Sequence, residues 1–130
     1  MIALDTNVLV RFLTQDEPAQ TARATRLFRS LTPESPGFVA REVIVELVWV
    51  LERSHALSSE AITVAVQGLL TAAEIEVEAA DDVGNAVVRY RDEGLGFADQ
   101  MIAAAGRRAG AAELVTFDRD AVRIGGVRLA

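Results

Sequence analysis

The feature that most restricts the fold is the alternation of short apolar runs with longer helical stretches along one chain. MIALD (1–5), GFVA (37–40), IEVEA (75–79), ELVTF (113–117) and GVRLA (126–130) each read as a strand. Between them, 6–14, 18–31, 41–54, 59–73, 81–91 and 97–110 carry apolar residues at helical spacing. The punctuation agrees. Asp5 or Thr6 opens the first helix, Pro18 suits a helix start, Ser58 or Ser59 with Glu60 opens another, and Gly110 marks a stop. TPESPG (32–37) and DEGLG (92–96) are loops by their prolines and glycines. Strands that alternate with helices require crossover connections and a mostly parallel sheet covered by helices. One α/β domain over 1–130 is the expectation, with no internal repeat, linker or low-complexity tract.

A chain of 130 residues is long enough to bury a core without covalent staples. It has no cysteine, which removes disulfides, thiolate nucleophiles and cysteine-bound zinc. No apolar run approaches the roughly 18 residues of a membrane span, and Asp5 and Asn7 interrupt the place a signal peptide would occupy. A soluble protein of the cytoplasm is expected. Nineteen acids against thirteen basic residues give a net charge of −6, and every basic residue is an arginine. Bulk electrostatics therefore disfavour non-specific nucleic-acid binding, so contact with phosphates needs local arginines or metal ions held on acids.

Ligands of open α/β sheets bind beyond the carboxyl ends of strands. Asp5 ends the first strand and Asp118 comes just after ELVT, and if those strands are neighbours the two carboxylates converge. Each alone reads more simply as a helix cap. Glu46 is harder to set aside. It lies within VIVELVWVL (43–51), otherwise wholly apolar, so partial enclosure and a cationic partner are expected, either an arginine or a metal. Asp99 stands in the first turn of the helix in GLGFADQMIAAA, where a negative charge is favourable on its own account. Together, four acids repel one another unless cations neutralise them, and hard divalent ions prefer such oxygen donors. The chemistry served by such sites is phosphoryl transfer.

MIALDTNVLVRFL, the glutamate of VELVWVL, GFADQMIAAA and VTFDRD resemble, in order and spacing, the four acidic motifs of PIN-domain nucleases, and in particular of the VapC toxins of VapBC toxin–antitoxin systems. The resemblance spans essentially the whole chain. It implies a three-layer α/β/α sandwich with a mostly parallel central sheet. It implies that Asp5, Glu46, Asp99 and Asp118 form a catalytic, metal-binding acidic pocket, steadied by Asn7 and Thr116, with Asp120 a further acid of lower rank. It also implies Mg²⁺ as cofactor, with Mn²⁺ able to substitute. The implied reaction is hydrolysis of RNA (tRNA or rRNA) by a metal-activated water, leaving 5′-phosphate and 3′-hydroxyl ends. A homodimer and a VapB-type antitoxin partner follow from the same resemblance.

Arg11, Arg23, Arg26 and Arg41 are candidates for RNA contact, with solvated helix faces as the plain alternative for each. His55 reads as a helix-end residue and Trp49 as core or dimer surface. Two rival architectures, a phosphoacceptor receiver domain and a haloacid dehalogenase-type phosphatase, use a lysine that this chain lacks. A non-catalytic PIN-like module that binds RNA or protein is the remaining alternative.

Overall fold

A computed structural model describes all 130 residues. The chain divides into two compact units, Met1–Ala80 and Asp81–Ala130.

In the first unit the order is β1 (Ile2–Ala3), α1 (Thr6–Thr14), α2 (Pro18–Ser30), β2 (Gly37–Val39), α3 (Arg41–Arg53), α4 (Ser59–Thr71) and β3 (Ile75–Val77). The three strands pair in the order β1-β2-β3, and both pairings are parallel. Ile2 lies opposite Gly37, and Gly37 opposite Ile75. The Leu4 amide donates to Phe38 O at 2.8 Å and the Ile2 amide to Pro36 O at 3.1 Å, so the residue before Asp5 is fastened to β2. Two helices cross between each pair of strands, as parallel pairing requires.

Local chemistry sets the helix limits. Pro18 fills a position where no amide is needed, and the Glu17 carboxylate accepts from the amides of Ala19 and Gln20 at 3.2 and 2.8 Å. Ser58 caps α4 by accepting from the Ala61 amide at 3.1 Å. Leu9, Val39, Ile44, Leu47, Leu51, Ile62 and Val66 are fully buried and form the heart of this unit. Phe12 of α1 stacks on Phe28 of α2 with ring centroids 4.0 Å apart.

The second unit runs through α5 (Ala80–Glu93), α6 (Phe97–Arg108), β4 (Leu114–Thr116), a single 3₁₀ turn (121–124) and β5 (Val127–Leu129). β4 and β5 are parallel, with Leu114 opposite Val127. Leu95, Ala103, Ala121, Ile124 and Val127 form its core, and Leu114 packs against them. Tyr90 meets Phe97 edge to face at 6.5 Å. Gly110, at φ +88°, takes the left-handed conformation just beyond α6 that ends helices at least cost.

The α/β class and the parallel pairing are those expected. The strands are shorter than their apolar runs, and they pair as two sets, three in the first unit and two in the second. A sheet covered by helices should bury its strands, yet Ile2 and Ala3 of β1 are exposed and Leu4 alone is enclosed.

Candidate active site

Asp5 is the residue that leads from β1 into α1. Its backbone carbonyl accepts from the Val8 amide at 3.1 Å, as an N-cap should, but its side chain makes no capping hydrogen bond. The capping explanation therefore accounts for the position of Asp5 and leaves its exposed carboxylate uncommitted.

The next residue, Thr6, is 3% exposed, and its hydroxyl donates to Glu46 Oε1 on α3. That bond ties the start of α1 to the middle of α3, forty residues along the chain. Glu46 is exposed, contrary to the enclosure expected from its apolar neighbours. Ile44, Leu47, Val48 and Leu51 turn inward, whereas Glu46 and Trp49 share the open side of the helix. Trp49 is 55% exposed, with the Arg53 guanidinium 5.8 Å above its ring.

In the second unit, Asp99 sits in the first turn of α6. Burial pushes its carboxyl above its ordinary value, and the negative charges of Asp118 and Asp120 push it further. Gln100 anchors this turn from below, since its buried side-chain amide donates to Ala86 O at 2.9 Å and Leu95 O at 3.3 Å. The Thr116 hydroxyl accepts from the Asp118 amide at 3.0 Å, and Asp118 Oδ1 accepts from the Asp120 amide at 2.9 Å. These bonds fold the chain after β4 into a turn that carries two acids.

The structure thus joins Glu46 to the residue beside Asp5, and Asp99 to Asp118 and Asp120. Neither group alone is a closed cage of three acids. Asn7 lines a groove between α1 and α2. Thr6, which bonds Glu46, and Gln100 and Gly96, which flank Asp99, are neighbours of these acids that the motifs did not single out. A clue existed for Thr6 alone, as a hydroxyl beside Asp5 in a helix otherwise buried through Leu9 and Val10. His55 stands apart, with Nε2 2.9 Å from Asp16 Oδ2.

Gly96 has a particular role. A Cβ there would meet Asp99 Oδ2 at 2.8 Å, and the backbone at φ −58° suits any residue. Gly96→Ala should therefore fold with its melting temperature little changed while its new methyl group displaces the Asp99 carboxylate. The expected result is a loss of whatever activity depends on Asp99 at nearly unaltered stability; equal activity would show that the position of Asp99 is unimportant.

The raised pKa of Asp99 has a stability consequence of definite sign. The native state holds this proton more tightly than the unfolded chain, so stability falls as pH climbs from near 3.8 through the raised value. In EDTA, Asp99→Asn should melt higher than the parent at pH 7 and lose that advantage below pH 3.8, as read by circular dichroism. A variant that melts lower at pH 7 would show that the charge is stabilising where it stands.

The PIN domain family model matches residues 2–127. A VapC ribonuclease of Aquifex aeolicus (strain VF5) is 30% identical over 127 residues, which cover 96% of this chain and 93% of the relative.

Proposed function

Because this chain belongs to the PIN-domain family, and within it to the VapC ribonucleases, we propose that it is a metal-dependent endoribonuclease and the toxin of a toxin–antitoxin pair. The family match runs through both compact units, which supports reading 1–130 as a single PIN domain. One observation carries the chemistry. The four motif acids, Asp5, Glu46, Asp99 and Asp118, have no arginine paired with any of them, although arginines answer Asp16, Asp82, Asp92, Glu93 and Glu113.

That donor set fits a hard divalent cation, being all carboxylate oxygen and uncompensated in charge. Asp5, Glu46, Asp99 and Asp118 would hold it, with Mg²⁺ the natural occupant and Mn²⁺ a substitute. When bound, such an ion lowers the pKa of water and neutralises charge developing on the phosphate. The protein's own groups set the geometry. The Thr6 hydroxyl fixes one oxygen of Glu46 and leaves the other free. Thr116 holds the turn that presents Asp118, and Gln100 holds the first turn of α6 under Asp99.

The substrate is a tRNA or rRNA phosphodiester. The partner is a VapB-type antitoxin encoded beside the gene, and the active species is a homodimer. No helix is long and apolar enough to cross a membrane. The proposed place of action is the cytoplasm. Purified protein should cut a total tRNA and rRNA preparation in Mg²⁺ and stop when EDTA is added, with Asp5→Asn as the control. Absence of cutting under both conditions would leave a fold retained for binding alone.

A further inference from the structure

Since every basic residue is an arginine, each can be asked which acid it answers. Arg11, Arg89, Arg91, Arg108 and Arg128 each meet a carboxylate, and Arg53 lies on Trp49. Arg23, Arg26 and Arg29 meet none, and all three are exposed on α2. This helix contains no Asp or Glu, and Glu17 before it has both oxygens engaged with the first amides. A segment of three positive charges thus stands on a chain whose net charge is −6.

Beside Arg23, α1 and α2 enclose an open groove of about 370 Å³, while Arg29, farther along α2, borders a separate cavity with Phe12 and Phe28. Asn7, Arg11, Gln20 and Arg23 present polar ends to the groove around Ala24 and Leu27. Arg11 is held in place by Gln20 Oε1 at 2.6 Å and by Asp16 Oδ1 at 3.4 Å. The Asn7 side chain has no hydrogen-bond partner and lies two residues beyond Asp5. Planar guanidinium groups with free donors suit phosphate oxygens, and a floor of Ala24 and Leu27 suits a ribose or base.

We propose that this groove, with the arginine run of α2, holds the phosphodiester backbone of single-stranded RNA on its way to Asp5. The proposal rests on the ribonuclease reading above and names where that substrate lies. Position decides the occupant. A phosphate chain laid here continues toward Asn7 and a carboxylate that works on phosphates, whereas an acidic peptide would end against a carboxylate that repels it.

The test uses full-length Asp5→Asn protein in Mg²⁺ and a fluorescent 20-nucleotide single-stranded RNA, with R23Q/R26Q/R29Q added in the same background. Loss of three phosphate contacts should lower the slope of log affinity against log salt by about 2 and weaken binding on the order of tenfold near 0.1 M salt. In the chain with Asp5 intact, the triple variant should show a raised KM with kcat and melting temperature retained. Equal salt slope and equal KM, with RNA still cut, would overturn the groove and leave the ribonuclease standing. A parent protein that neither binds nor cuts RNA would overturn both. A triple variant that keeps its RNA affinity while losing affinity for a poly-glutamate peptide would also overturn the proposal, in favour of an acidic protein partner.

Discussion

Asp5→Asn is expected to fold as the parent does and to lose at least about 100-fold in RNA cleavage, the upper range for groups that merely orient a metal ligand. The two halves of this expectation have separate causes. The Asp5 carboxylate makes no capping hydrogen bond, and asparagine is as good an N-cap as aspartate, so α1 has no reason to weaken. The melting temperature should stay within the range of an ordinary surface change, about 0.5 kcal/mol. Activity is another matter, because the substitution keeps shape and removes only a negative charge. Comparison of kcat/KM on a tRNA preparation, beside thermal melts, separates the two. A well-folded variant that keeps metal-dependent cutting would remove Asp5 from the reaction.

Leu51→Ala should do the reverse. Leu51 is fully buried on α3, five residues beyond Glu46 and on the inward face of that helix. Truncation removes the transfer free energy of the side chain and leaves a space that neighbours fill only in part, at a cost of about 2–5 kcal/mol. For a domain of this size that is a drop of roughly 8–20 °C in melting temperature. At a temperature where both proteins are folded, cleavage per molecule should be near the parent's value. Denaturant and thermal unfolding measure the first quantity and kcat the second. A melting temperature within a degree of the parent would mean that α3 is not part of the cooperative core.

These two positions also mark how far the linear chain could be read. Helix limits were readable because they depend on residues next to one another. Pro18 with Glu17, Ser58 with Ala61, and Gly110 after α6 each act within four residues. Strand positions were readable from apolar runs, although the runs overstate the strands; 113–117 narrows to Leu114–Thr116 because pairing, rather than composition, ends a strand.

What escaped depends on distance along the chain. The division of the strands into sets of three and two is decided by which edges meet, a long-range matter that no local pattern records. The Thr6–Glu46 bond spans forty positions, a separation that no local pattern encodes. Glu46 was expected to be enclosed because nine apolar-rich residues look alike in a line. On a helix they separate into an inward row and an open one, and the glutamate belongs to the open row. The four motif acids are proposed from residue type and order, which survive in one dimension; the residues that support them are known only by contact.

The fastening of β1 sets a limit on how steadily its carboxylate can be held. The strand is two residues long, and the amide of Leu4, donating to Phe38 O at 2.8 Å, is the last tie before Asp5. An amide in such a bond exchanges its proton with solvent only when the strand lifts away. Each opening that frees the Leu4 proton also lets Asp5 swing with its backbone. The lifetime of that one proton is therefore a clock for the site: it counts how often the first acid leaves its place.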